Sequence, residues 1–235
     1  MTDLHTHILP GIDDGAKDAK ESIAMILSAY EQGVNFIAAT PHVMPHGEEE
    51  IGKFLIRREE CFNALREEIA KRDEDFPRLT LGAEVFLDND ITQYKNFRSL
   101  CYVNTNVMLL ELDPGKYSDK YSEWIYSIVK AGVKPIIAHV DRYPWRDELF
   151  EDTQFLGAVH QINASRFLTL SGRRTARGII QHGGCCIVAS DMHNLESRPC
   201  NMKQAYVKME KYDEVEAEDV FSKNALGLMK EESVV

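Results

Sequence analysis

The side chains best suited to chemistry in this chain are histidines and carboxylates that recur at the ends of apolar runs. "DLHTHILPGIDDGA" holds His5, His7 and Asp14. "FIAATPH" brings His42, "LTLGAE" brings Glu84, "VMLLE" brings Glu111 and "PIIAH" brings His139. "IVASDMH" adds Asp191 and His193. Nitrogen and oxygen donors without a thiolate suit manganese, iron or zinc ions. His5 with His7, and Asp191 with His193, are spaced i, i+2, so in an extended chain each pair points one way and can clamp one ion. Any single H-x-H is weak evidence, and a structural salt bridge would satisfy Glu84 or Glu111 alone. Recurrence at the ends of six separate apolar runs points to convergent ligands in one metal site.

Those six runs are among seven strand candidates, Asp3–His5, Asn35–Thr40, Leu79–Phe86, Val107–Leu112, Lys134–His139, Ala158–Asn163 and Cys185–Ser190. Several are continuously apolar, as in parallel strands covered on both faces. Helical spacing places Ile23, Ile26, Leu27 and Tyr30 on one face, and Tyr121, Trp124, Ile125, Ile128 and Val129 on another. The longest helix candidate, Ile51 to Lys71, carries Phe54, Leu55, Cys61, Phe62, Leu65 and Ile69 on one side. "EQGVNFIAATPH", "KAGVKPIIAH" and "QHGGCCIVASD" each lead from a helix end through glycine into a strand. Gly33, Gly132 and Gly183–Gly184 are the expected left-handed residues closing those helices. Alternating strands and helices imply a parallel α/β architecture. Seven units suggest a closed or nearly closed barrel. The alternative, a doubly wound open sheet, is weakened because no glycine-rich dinucleotide fingerprint follows the first strand. In a barrel the C-terminal strand ends share one mouth, where active sites form.

Composition sets the bounds. The 235 residues, 44% hydrophobic and 28% charged, fit one globular domain spanning residues 1–235. A net charge of −11 argues against general nucleic-acid or anionic-membrane binding. No apolar h-region follows Met1 and no run reaches membrane-spanning length, so a cytoplasmic protein without membrane insertion is expected. Five cysteines with no C-x-x-C read as reduced thiols. Thiolate phosphate chemistry would need an arginine six residues after a cysteine; Glu67, Val107, Asp191, Met192 and Tyr206 stand there instead. Cys185 and Cys186 are read as strand core. "GEEEIGKF" lacks the hydroxyl residue of a phosphate-binding loop and fills its cradle with glutamates. His46, His160 and His182 need no metal: a polar loop, a strand start and a helix end account for them.

The motifs "DLHTHILPGIDDGA", "ATPH", "GAEVF", "LLEL", "AHVDRY" and "ASDMHNLESRP", in this order, resemble the polymerase-and-histidinol-phosphatase (PHP) superfamily. Within it they are similar to the bacterial protein-tyrosine phosphatases of capsular and exopolysaccharide synthesis. The likeness spans Asp3 to about Arg198. It implies a distorted seven-stranded (β/α) TIM-like barrel of the PHP fold holding two to three divalent ions, manganese first, with iron or zinc as alternatives. It further implies one ion on His5, His7 and Asp191, a second on Glu84 and His139, and a third on Asp14, His42 and His193, with Glu111 bridging two. The sequence departs from the pattern at Val43, Val140 and Asp141, beside the ligands.

Clustered ions suit phosphate-ester hydrolysis, since they polarise phosphoryl oxygens and lower the pKa of water. Arg142 lies three residues after His139, and Arg198 five after His193. From spacing alone each is equally an exposed arginine, a partner of Asp141 or Asp147, or a phosphate clamp. The resemblance implies the clamp, and with it a metal-dependent phosphomonoester hydrolase. Its expected substrate is a phosphotyrosine protein, the tail of a membrane tyrosine kinase of capsule synthesis. The alternatives are a small-molecule phosphatase of the histidinol-phosphatase type and a non-catalytic metal-binding regulatory partner. The sequence leaves monomer and homo-oligomer equally open.

Overall fold

The computed structural model describes residues 1–182 and 184–230. Its short strands are β1 (Thr2–Thr6), β2 (Phe36–Ala39), β3 (His42–Val43), β4 (Arg78–Leu81), β5 (Glu84–Phe86), β6 (Val107–Glu111), β7 (Lys134–Ile137), β8 (Val159–Asn163) and β9 (Cys186–Ala189). Every pairing between them is parallel. Helices α1 (Ala19–Glu31), α2 (Glu48–Ile69), α3 (Lys120–Lys130), α4 (Arg146–Phe155), α5 (Leu170–His182) and α6 (Met202–Glu210) pack around the strands. The expected α/β class is therefore found.

Helix ends follow local chemistry. The Asp18 carboxylate accepts the Glu21 N–H at 2.9 Å and caps α1. Gly33 and Gly132 close α1 and α3 with φ of +86° and +80°. These are left-handed angles that a side chain would strain. Gly184 has the same character, with φ +71°, whereas Gly183 lies outside the described residues.

Among the described residues nine strands stand where seven were expected, because two runs are broken. The run Asn35–Thr40 ends at Ala39, and the chain resumes as β3 beyond Pro41, which has no N–H for the ladder. The run Leu79–Phe86 is interrupted at Gly82 and Ala83. The breaks lie side by side: the Gly82 N–H donates to the Ala39 carbonyl at 2.8 Å, and the Glu84 N–H to that of Pro41 at 3.0 Å. Each run thereby leaves a three-stranded sheet, β1-β2-β4, and enters a six-stranded one, β3-β5-β6-β7-β8-β9. The far edges meet where the Asp191 N–H donates to the His5 carbonyl and the His7 N–H to that of Met192, both at 2.9 Å.

Apart from β3 and the outer part of β4, the strands are buried on both faces. Met108, Leu110, Ile137, Ile162 and Val188 join the larger core beneath the helices. Val107, Leu109, Ala38, Ile136, Val159 and Ile187 occupy alternate positions and form a second, smaller core. The face bearing this smaller core carries Glu111, Gln161 and Asn163 as its strands run on, by the two-residue period of a strand. Of the two cysteines assigned to core, only Cys186 is buried; Cys185 precedes β9 and is exposed.

Gly82 makes a close approach possible. A Cβ there would stand 2.6 Å from Cδ1 of the buried Tyr102 ring, whose hydroxyl donates to the Leu4 carbonyl at 2.7 Å. Gly82→Ala should destabilise the fold by about 1–3 kcal/mol, the usual cost of overpacking. Gly52, inside α2, has open space around it. Gly52→Ala should instead stabilise by about 0.5–1 kcal/mol. Urea unfolding midpoints of the two variants should move in opposite directions.

Candidate metal centre

All nine residues expected to hold metal gather at the C-terminal ends of the strands. Register explains much of this: His42 on β3 pairs with Glu84 on β5, and Glu84 pairs with Leu109, two residues before Glu111 on β6. His5, His7, Glu84, His139, Asp191 and His193 are buried, His42 and Glu111 half-buried, and Asp14 exposed. His139 and Asp191 have left-handed φ, +31° and +54°. Backbone strain at non-glycine residues persists where the surroundings over-determine it, typically at functional sites.

The centre of the cluster is Glu84. Its Oε2 lies 3.1 Å from His5 Nε2, 3.2 Å from His7 Nε2 and 3.0 Å from His42 Nδ1. Its Oε1 lies 3.0 Å from His139 Nε2. Glu111 sits to one side, 3.4 Å from His139 and 3.6 Å from His42. The resemblance implies that Glu111 bridges two ions; in this structure Glu84 lies nearer the imidazoles than Glu111 does. Among the described residues three donor groups stand out: His7, Asp14, His42 and His193; His5, His7 and Glu84; and His42, Glu84 and Glu111.

The donor chemistry fits divalent cations. His5 Nδ1 donates to Gln161 Oε1 at 3.0 Å, His7 Nδ1 to Asp13 Oδ2 at 2.8 Å and His193 Nδ1 to the Asp191 carbonyl at 3.0 Å. Each ring therefore turns Nε2 toward the cluster, the arrangement found in metal-binding imidazoles. Among the described residues no well-directed hydrogen bond reaches the buried Glu84 Oε2 or His193 Nε2, close as the imidazoles stand to the former. Burial opposes charge on His5, but Glu84 and Asp191 outweigh it and lift the imidazole to about 9. Burial likewise lowers His42, yet Glu84 and Glu111 raise it to about 9. Burial pushes Glu84 up, but His5 and the surrounding imidazole hydrogen bonds hold it well below the carboxylate range. The cluster therefore calls for positive charge, whether protons or metal ions. His193, by contrast, is lowered to about 4 by burial and by His7 beside it.

Neither arginine pairs with Asp141 or Asp147. Arg142 Nη2 meets Asp191 Oδ2, and Arg198 Nη2 meets Asp191 Oδ1 at 2.7 Å. Asp141 instead pairs with Arg166 at 2.9 Å and accepts the Asn163 N–H at 2.8 Å. The excluded histidines have other partners: His46 binds Asp88 at 2.8 Å and His160 lies 2.9 Å from the Thr153 hydroxyl, while His182 ends α5 on the surface. Thiolate chemistry finds no support. Burial pushes the Cys101, Cys186 and Cys200 thiols up to about 12, and raises Cys185 as well.

Three supporting residues went unread in the sequence. Asp13 accepts from His7 Nδ1, the Gly15 N–H and the His42 N–H, and these outweigh burial to hold it at about 2. Gln161 and Asn163 lie on β8, the strand of the one sequence run that brings no expected ligand. The His139 N–H donates to Gln161 Oε1 at 2.7 Å, which fixes that atom as the amide oxygen. Gln161 Nε2 then donates to Asn163 Oδ1 at 2.8 Å, and Asn163 Nδ2 to Asp191 Oδ2 at 3.0 Å. His5, His139 and Asp191 are thus oriented by one polar chain. The signal was present in "VHQIN", where two amides stand two residues apart in a strand candidate. Gln161→Leu keeps most of the volume and removes the acceptor for two ligands. Titration with manganese should show affinity lower by roughly 10–100-fold, the usual effect of removing such support, while circular dichroism stays native.

A sequence model of the capsular polysaccharide synthesis CpsB/CapC family matches residues 1–230. The chain is 29% identical to tyrosine-protein phosphatase CpsB of Streptococcus pneumoniae, over 95% of this chain and 96% of that protein. It is also 29% identical to tyrosine-protein phosphatase YwqE of Bacillus subtilis, over 100% and 93% of the two chains. Among solved structures, that of YwqE and CpsB, described as unique metal-dependent tyrosine phosphatases, superposes with a TM-score of 0.84 at 24% identity, covering 100% of this chain and 96% of that one. A family match of this extent, carried on a shared fold, places the chain in the CpsB/CapC family of capsular polysaccharide synthesis.

Proposed function

We propose that this chain is a metal-dependent protein-tyrosine phosphatase, a phosphomonoester hydrolase of capsule or exopolysaccharide synthesis. The observation that carries the reading is the convergence of imidazoles and carboxylates on buried Glu84. In this reading the chain is one PHP-type domain, a distorted seven-stranded barrel. The contacts of His5 and His7 with Asp191 and Met192 support closure between its edges. His5, His7, Asp14, His42, Glu84, Glu111, His139, Asp191 and His193 would hold two to three ions, manganese first, with Glu84 shared. When bound, such ions polarise the phosphoryl group and lower the pKa of water near it.

The chain's own residues do the rest. Gln161, Asp13 and Asn163 hold the ligands in one orientation. Arg142 and Arg198 approach Asp191 from its two oxygens and border a cleft shared with Asn163, Ser190 and Ser197. Guanidiniums so placed suit the non-bridging oxygens of a phosphate and the charge that builds on them. The substrate would be a phosphotyrosine protein, the tail of a membrane tyrosine kinase, met in the cytoplasm. None of the described helices is long and apolar enough to cross a membrane.

Manganese-loaded protein should hydrolyse a phosphotyrosine peptide and leave histidinol phosphate largely untouched. A strong chelator should abolish the activity, and alkylating the thiols should spare it. Preference for histidinol phosphate would favour the small-molecule alternative, and no turnover would favour a non-catalytic partner. Arg142→Ala or Arg198→Ala should weaken kcat/KM by about 2–4 kcal/mol with metal content intact, the scale of losing a donor to a developing oxyanion. Glu84→Gln should lose more bound ions, by elemental analysis, than Glu111→Gln. Its turnover should fall roughly a thousandfold, since a metal clamp supplies several kcal/mol.

A further inference from the structure

The mouth of the site has two unlike sides. Where Arg142 and Arg198 stand, it is a narrow polar cleft of about 70 Å³. On the side of β3 and β5 it opens into a hollow of about 290 Å³ lined by Asp14, His42, Val43, Met44, Phe86 and Glu111. Strand register accounts for the second side. His42 pairs with Glu84, and the next residue outward on that face of β5 is Phe86, which pairs with Glu111. Two residues beyond His42 lies Met44, 49% exposed although apolar. Val43 packs on the core beside them. One step above Glu84, then, and beside Glu111, the wall gains a thioether and an aromatic ring, both reachable from solvent.

We propose that Met44 and Phe86 form a shelf for the aromatic ring of an aryl phosphate, and that this shelf gives the site its preference for phosphotyrosine over alkyl phosphates. The inference rests on the phosphatase reading and adds the specificity-determining residues. A phosphotyrosine side chain is amphiphilic, with a dianionic head and a flat apolar ring. Its head suits the cleft beside Arg142 and Arg198; its ring requires an apolar surface close to the same ligands. A ring gains from an offset or edge-on aromatic neighbour and from sulfur at its edge. The short apolar side chain of a phosphoserine would leave the shelf uncovered.

The test uses the full-length, manganese-loaded protein and two peptides that differ only in carrying phosphotyrosine or phosphoserine. Phe86→Ala and Met44→Gln should each cut the phosphotyrosine-to-phosphoserine ratio of kcat/KM about tenfold, the order set by one apolar contact in a specificity pocket. The change should appear in KM for phosphotyrosine, with bound metal unchanged. Phe155→Ala, at a 92% exposed position on α4, is the control. An unchanged ratio in folded, fully loaded variants would overturn the shelf. Calorimetric binding of phenylphosphonate and methylphosphonate to the wild-type protein decides the matter even if a variant fails to fold. The shelf requires the aryl compound to bind about tenfold tighter, and equal affinities would refute it. If the wild type cleaves neither peptide, the phosphatase reading fails, and the phosphonate pair still scores the shelf separately.

Discussion

A carboxylate almost entirely removed from water has to be compensated by donors or cations around it. Glu84 is such a group, 1% exposed, with imidazole nitrogens of His5, His7, His42 and His139 within 3.2 Å. Those histidines come from three separate stretches of chain, so their positions depend on several strand ends arriving together. The outer supports repeat the logic one layer out. Asp13 holds His7, and Gln161 holds His5 and the His139 backbone. Removing water from the centre is what makes each of these hydrogen bonds directional and costly to leave unmade.

The breaks at Pro41 and Gly82 serve this constraint. A continuous strand would keep its residues in one ladder. The interruption instead passes two runs from the three-stranded sheet to the six-stranded one just before His42 and Glu84. Proline forgoes an N–H, and glycine admits the Tyr102 ring. Both residues therefore look like defects in a strand pattern, yet they stand where the ligand-bearing segments must change partners.

Much of this was legible in the sequence because ligands and apolar runs are local signals. The histidines and carboxylates that gather were each visible at a run's end, and the continuous apolar runs announced strands buried on both faces. Shared roles were harder to read. Nothing in "LTLGAE" or "VMLLE" says which glutamate is central, since that depends on pairing between strands, where Glu84 stands opposite both His42 and Leu109. Asp13 lay beside the chosen Asp14, and only the fold shows that one turns inward while the other stays exposed. The two arginines were placed near the mouth, but their common partner, Asp191, is a contact across the fold that spacing does not encode.

The proposed ligands are not all on one sheet. His5 and His7 belong to β1 and the residue that follows it, whereas Glu84 and Glu111 lie on strands of the six-stranded sheet. An ion held between them would join the two sheets as a rivet joins plates. Whatever binds the folded state and not the unfolded chain adds RT ln(1 + [L]/Kd) to its stability. With metal held as proposed, resistance of this molecule to unfolding would be a function of free metal concentration, and withdrawing the metal would weaken the joint between sheets as well as the chemistry.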